Sequence, residues 1–458
     1  MGNWRLKLFS TQQQPHGQRR SALLRWAMIS SGTSKVSGLA LQAVAIPLVY
    51  HSLGQHRYAL YLLLTAALAA INLAQLGAGP GLTQGLARAN AAQSRHEEAS
   101  LLNAAFRLTG IGALIGGGAI LLVIHLVSPG HLFGVDFSDD RQEILSSANV
   151  CVFILMAQMV AGVVDSALSG YQEQVFSSIG SMVGNLVSVG LLTIVCRHSP
   201  TIISVVLVLF GVPTLSRLSN LAALYARRRY LFQGLVRSTR GFYATLLNVG
   251  LAFWTIQLCS LLEQNGGTFV LARMSSAHDT DMFAIVYRYI NLASMAVTIV
   301  TAPLWPAIAD AIAHGDIEWI RRSYVRVMRA LSIYSGVMAA ISLSAGPWIF
   351  RRILHVDTSG YYWVFFILGI YFVANIWTHL LYVTIMGMPG VWRAAAVLLV
   401  ENILMLLFGV VLVPHLGAAG MALSYLAASL VLPVWLLPRL MRQELERISA
   451  KHLVAGAG

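Results

Sequence analysis

Residues 23–50 read LLRWAMISSGTSKVSGLALQAVAIPLVY, an apolar run too long for a buried core helix and long enough to cross a bilayer. It carries one charge well inside it, Lys35. At the α-helical rise, Lys35 falls roughly 18 Å into a hydrocarbon layer about 30 Å thick. A lone ammonium at that depth is costly, so it is expected to face protein, water or an anion rather than lipid. A very short connection leads to a second apolar segment, which breaks at Gly77-Ala78-Gly79-Pro80-Gly81.

The rest of the chain repeats this character. It is 57% hydrophobic and 11% charged over 458 residues, a composition that excludes a soluble globular protein and points to a polytopic one. The net charge of +13 has two ordinary sources in such a protein, cytoplasmic loops and an interior that receives an anion. Nucleic-acid binding is excluded because the basic residues are scattered between apolar spans. Cys151, Cys196 and Cys259 lie in or beside apolar runs without ligand-like spacing, so neither a metal nor another cofactor is expected.

Twelve spans are long enough to cross, near 23–50, 58–85, 101–127, 148–168, 175–196, 201–226, 242–271, 281–312, 327–350, 361–385, 391–413 and 417–438. The expected fold class is therefore all-α, a polytopic membrane protein. The first run is about twice the length of a signal-peptide core and ends without a small-residue cleavage site, so it reads as a span. With the N-terminus inside, 21 of the 31 Lys and Arg fall in cytoplasmic segments and six outside, which places both termini in the cytoplasm.

The chain also repeats itself weakly. Tyr61 and Pro80 have the same separation as Tyr287 and Pro306, and Gly170 and Asn185 the same as Gly387 and Asn402. The pairs predict a cytoplasmic tail (1–21), a six-helix bundle (22–226), a basic linker (227–240), a second six-helix bundle (241–440) and a C-terminal tail (441–458). An even number of spans per half makes this a parallel repeat, with a substrate path between the halves.

Several stretches carry a family likeness: Ser30 to Val36 leading to Pro47 and Leu53-Gly54; Leu73 to Gly79; Leu168 to Gln172; Ala284 to Arg288; Pro303 to Ala307; and Leu416 to Gly420. Through these the chain resembles the polysaccharide flippases of the Wzx type, in the superfamily of the MATE multidrug exporters and the lipid II flippases. The resemblance implies a MATE-like fold. It also implies transport of a polyprenyl-pyrophosphate-linked oligosaccharide across a bacterial inner membrane by alternating access, with polysaccharide polymerase machinery as a further contact. The family usually shows an aspartate in the seventh span, where this chain has Glu263.

The residues independently suit such a cargo, since a pyrophosphate cannot enter hydrocarbon unpaired and needs cations at membrane depth. Lys35 supplies one; Arg288 lies about 9 Å from the outer end of its span and Arg217 about 24 Å from the outer end of its own. Each has a plainer role: Arg217 can snorkel to inner headgroups, and Arg288 can pair with Glu263. Glu401, near the centre of the eleventh span, is expected to be protonated, paired or bound to a cation, which makes it, with Glu263, a candidate coupling site for H+ or Na+. A structural pairing of Glu401 with Lys35 is the alternative. The breaks at Gly79 and Pro80 and at Pro303 and Pro306 are candidate gating points or static kinks. Residues 314–329 read as an interfacial helix, with Trp319, Ile320, Tyr324 and Met328 opposite Arg321, Arg322 and Arg326.

An enzyme is not expected. The acidic cluster Asp136, Asp139, Asp140 and Glu143 is short and lacks a catalytic partner, and His51 and His56 are too loosely placed for a metal. The competing reading is a MATE-like exporter of small drugs or metabolites, although cationic drugs would call for cavity carboxylates more than for Lys35.

Overall fold

The computed structural model describes residues 16–68, 77–127, 141–198, 200–232, 240–353 and 360–456. Among these residues there are helices and turns but no strand, and ten helical stretches are long and apolar enough to cross a bilayer. The fold is all-α and polytopic. The ten stretches differ from the twelve expected spans at two places. Residues 69–76 of the second span lie outside the described residues, and the last two spans run together as Val391–Ala450. Asp136, Asp139 and Asp140 also lie outside the described residues, while Glu143 pairs with Arg57 at 3.3 Å.

The chain divides into two compact units, Met1–Leu251 and Ala252–Gly458. In the first, α1 (His16–Leu68) is interrupted at Gly54, whose φ of 77° and ψ of 168° turn the chain. The turn brings the Tyr50 ring within 5.4 Å of the Tyr58 ring, where straight helix would separate their Cα atoms by about 12 Å. Next come α2 (Ala78–Ala91), α3 (Arg95–Leu126), α4 (Arg141–Gly170), α5 (Gln174–Arg197), α6 (Ile202–Val206) and α7 (Val212–Arg227). Between α6 and α7, Leu207–Gly211 forms a single π-type turn, and Ser188 of α5 donates to the Val208 carbonyl at 3.1 Å. That bond satisfies a carbonyl in the widened turn from outside the helix. Helix α5 packs along α1, and α4 packs against α2, α3 and α7.

Past α7, Arg228 and Tyr230 of the basic segment are anchored by side-chain contacts, while residues 233–239 lie outside the described residues. Glu98, 3% exposed at the start of α3, accepts hydrogen bonds from the hydroxyls of Tyr171 at 2.7 Å and Tyr230 at 2.5 Å. Arg228 donates to both Glu173 oxygens, at 3.0 and 3.2 Å, and stacks 3.8 Å over the Tyr171 ring. Burial and the Glu98 carboxylate push the Tyr171 hydroxyl well above its ordinary range, so it stays a donor. The following helix, α8 (Arg240–Met274), contains the boundary between the units.

The second unit holds most of α8 with α9 (Ala277–Thr301), α10 (Leu304–Ala313), α11 (Ile317–Ser344), α12 (Gly346–Ile353), α13 (Tyr362–Met386), α14 (Val391–Val431) and α15 (Pro433–Gly456). Helix α13 is central, packing on α9, α10, α11, α14 and α15. Helix α14 turns at Gly417, where φ is 54°. The expected interfacial helix at 314–329 is instead the beginning of α11, capped by Asp316 accepting from the Trp319 amide at 3.1 Å. Its 28 residues run about 42 Å, beyond a hydrocarbon thickness of about 30 Å, which leaves the first two turns, with Arg321 and Arg322, room to extend past an apolar layer. Trp319 and Ile320 face protein, at 5% and 1% exposure.

The repeat seen in the sequence is visible in the packing. Pro80 is the third residue of α2 and Pro306 the third of α10, so each break is the first turn of a short helix, where proline is tolerated. Gly170 closes α4 against α2, and Gly387 closes α13 against α10. A methyl at Gly170 would lie 2.9 Å from the Thr83 carbonyl oxygen, and one at Gly387 2.7 Å from the Trp305 oxygen. The glycines at the first break are equally tight: a methyl at Gly79 would meet Ser166 Oγ at 2.5 Å and one at Gly81 the Leu246 oxygen at 2.7 Å. At Gly77, with φ of 66°, it would sit 1.9 Å from the Gly250 oxygen. Gly77→Ala is therefore expected to destabilise the protein by about 3 kcal/mol, from overlap plus left-handed strain. Thermal unfolding in detergent checks this; an unchanged midpoint would contradict the packing.

Candidate functional site

In the second unit, three helices of apolar sequence converge on two carboxylates. Glu263 of α8 accepts from the Tyr371 hydroxyl at 2.6 Å and from Asn375 Nδ2 at 3.1 Å, both on α13. Its backbone oxygen accepts from the Tyr425 hydroxyl of α14 at 2.5 Å. Glu401 of α14 accepts from Ser429 Oγ at 2.6 Å and from the Tyr382 hydroxyl at 3.0 Å. Glu263, Glu401, Tyr371, Tyr425, Asn402 and Ser429 line a common cavity of about 10 Å³, room for one water molecule or one small cation.

Two features distinguish this cluster from a structural polar network. Every donor to the carboxylates is neutral, and among the described residues no arginine or lysine pairs with either. Asn402, 2% exposed, leaves Oδ1 without a hydrogen-bond partner while its Nδ2 donates to the Leu398 carbonyl at 2.9 Å. Two carboxylates and an orphaned amide oxygen around one small space are an acceptor-only set, which a proton or a hard monovalent cation would complete. Sequence reasoning found Glu263 and Glu401 but missed the tyrosine, asparagine and serine donors. Tyr371, Asn375, Thr378 and Tyr382 recur at helical spacing on α13, a polar stripe hidden because tyrosine also reads as apolar core.

The first unit differs at the matching place. The offset that takes Tyr61 to Tyr287 also takes Ser37 to Glu263, and the offset that takes Asn185 to Asn402 completes the pair. In the first unit Asn185 Nδ2 donates to Ser37 Oγ at 3.0 Å, a neutral contact with no carboxylate. Lys35, partly buried, lies two residues before Ser37 on α1. Arg217 of α7 lies beside an acid, its Nε 3.5 Å from Asp165 Oδ2. Arg288 is exposed on α9 and does not pair with Glu263, whose oxygens are held by Tyr371 and Asn375. The three cations thus occupy different helices, and the two carboxylates of the second unit share one cavity.

The profile of the family described as "Polysaccharide biosynthesis protein" matches residues 26–312. The chain belongs to that family. Two Salmonella proteins named as O-antigen transporters are similar to this polysaccharide biosynthesis family member. The one from Salmonella typhi is 20% identical over 358 residues, covering 76% of this chain and 79% of the relative, and the one from Salmonella typhimurium is 20% identical over 357 residues. Among solved structures, a Vibrio cholerae MATE transporter in its bent form superposes with a TM-score of 0.81 at 15% identity, covering 95% of this chain and 99% of the other. An outward-facing multidrug resistance MATE family transporter of the MOP superfamily gives 0.79 at 14% identity, covering 95% and 98%. The likeness to these solved structures establishes the MATE-like fold. Lys35, Asp165, Arg217, Glu263 and Arg288 fall inside the family match, while Glu401 and its partners on α13 and α14 lie beyond it.

Proposed function

We propose that this polysaccharide biosynthesis family member carries a polyprenyl-pyrophosphate-linked oligosaccharide from the inner to the outer leaflet of a bacterial inner membrane. Its two units work by alternating access, with both termini cytoplasmic. The observation that carries this reading is the set of basic side chains on membrane helices, Lys35, Arg217 and Arg288, in a chain of this family. A pyrophosphate loses its hydration on entering the membrane, and cations at several depths supply the charge that water no longer does. The names of the Salmonella relatives support the polysaccharide class of cargo.

Coupling is assigned to the second unit. Glu263, Glu401 and Asn402 take a proton or a sodium ion, and the charge change biases one conformation over another. Gly79 and Pro80 in the first unit, and Pro303 and Pro306 in the second, are the places where the backbone yields during that change. A drug exporter is the weaker reading, because Lys35, Arg217 and Arg288 on membrane helices suit an anionic cargo better than an organic cation. Deleting the gene and fractionating the lipid-linked glycans tests the proposal. The expected result is accumulation of one such glycan on the cytoplasmic leaflet; an unchanged glycan pool with raised drug sensitivity would favour the exporter.

A further inference from the structure

The first unit contains a part-buried carboxylate, its side chain 24% exposed, whose counter-charge is supplied by the chain itself. Asp165 of α4 accepts from Ser177 Oγ of α5 at 2.9 Å and from Asn220 Nδ2 of α7 at 3.0 Å, both on Oδ1. Oδ2 faces Nε of Arg217 at 3.5 Å. No other charged side chain, from α4 itself or from the helices packed on it, interacts with Asp165 among the described residues. The ion pair is a single long contact rather than a two-pronged one, and the terminal nitrogens of Arg217, whose side chain is 33% exposed, make no hydrogen bond among the described residues.

The backbone around this pair is closely packed. A methyl at Gly180 would lie 3.0 Å from Asn220 Oδ1 and one at Gly184 2.7 Å from Ser216 Oγ, so the α5 backbone lies directly against the polar side chains of α7. A change at this site therefore falls on the long Arg217 side chain. Its removal would leave Oδ2 charged and unpartnered beside two neutral donors that are both committed to Oδ1. A carboxylate so placed recovers neutrality by taking a proton on that oxygen.

We propose that Asp165 and Arg217 form an exchange pair: a pyrophosphate takes the guanidinium of Arg217, and Oδ2 of Asp165 takes one proton from water in the same event. This rests on the pyrophosphate reading above. The charge balance closes, since the guanidinium stays cationic and passes from one anion to another while one O–H bond forms. Loading of the cargo is thereby linked to proton uptake in the first unit, separately from the acidic cavity of the second.

The test uses the full-length protein in nanodiscs of neutral lipid and farnesyl pyrophosphate as probe, titrated calorimetrically in two buffers of different ionisation enthalpy. Wild type is expected to take up close to one proton more per ligand than D165N, a difference in which the probe's own protons cancel. D165N should bind at least as tightly, and the wild-type affinity relative to it should fall by up to tenfold per pH unit as pH rises. R217K keeps a charge for Asp165 but lacks the fork, and should weaken binding about tenfold. Thermal unfolding establishes that each variant is folded. Equal proton uptake by wild type and D165N, or wild-type binding by R217K and R217A, would overturn the exchange pair; if K35A still weakened binding, the pyrophosphate reading would survive. Failure of wild type to bind the probe would remove both.

Discussion

Exchanging Glu401 for glutamine is expected to leave the protein folded in the membrane and to abolish the acceleration that a proton or sodium gradient gives to transport. Glutamine keeps the shape of the side chain and can still accept on one side, although Ser429 and Tyr382 donate to separate oxygens of Glu401 at 2.6 and 3.0 Å, so one of these hydroxyls must turn to accept from the amide. What it removes is the charge that a coupling ion would balance. Without that charge, an ion has no differential affinity for two conformations and shifts nothing between them. Ser429→Ala and Tyr382→Phe each delete one donor and are expected to have smaller effects, about 1–2 kcal/mol on ion affinity. The measurement is transport in proteoliposomes with imposed ΔpH or Na+ gradients. Full gradient dependence in Glu401→Gln would remove this residue as the coupling site.

The second large effect is expected at Lys35. Lys35→Ala should lower export of the lipid-linked glycan about ten- to a hundredfold at an undiminished protein level, the loss of one charge-assisted contact of about 1.5–3 kcal/mol. Lys35→Arg should retain most of the activity, because a cation remains at the same depth. Exposed arginines on the first turns of α11, such as Arg321 and Arg326, serve as controls and should tolerate alanine. Normal export by Lys35→Ala would place the anion elsewhere.

Much of this fold was legible in the sequence for a physical reason: a hydrocarbon layer demands long apolar helices, so span length and composition read out directly. The repeat was legible too, because Pro80 and Pro306, and Gly170 and Gly387, are held to their residue types by local backbone contacts. Continuity of helices was less so. Residues 314–329 have an amphipathic pattern, yet α11 runs through them, since the same Trp319 and Ile320 that would face headgroups bury against the protein.

For the candidate site, the charged members stood out and their partners did not. A carboxylate such as Glu401 is conspicuous in an apolar run, whereas Tyr371, Tyr382 and Tyr425 carry their hydroxyls on rings that also suit a hydrophobic core. The pairing of Arg217 with Asp165 joins α7 to α4 and has no local signal in the sequence. The orphaned oxygen of Asn402 is a property of its surroundings alone.

The central claim is that this chain moves a pyrophosphate-linked glycan across a membrane, and it is tested most directly by reconstitution. Purified protein in proteoliposomes loaded on one leaflet with a fluorescent polyprenyl-pyrophosphate oligosaccharide should deliver it to the opposite leaflet at a rate well above that of empty vesicles, measured by the label's accessibility to a membrane-impermeant quencher. Delivery no faster than in empty vesicles, with the same preparation exporting an organic cation, would contradict the account.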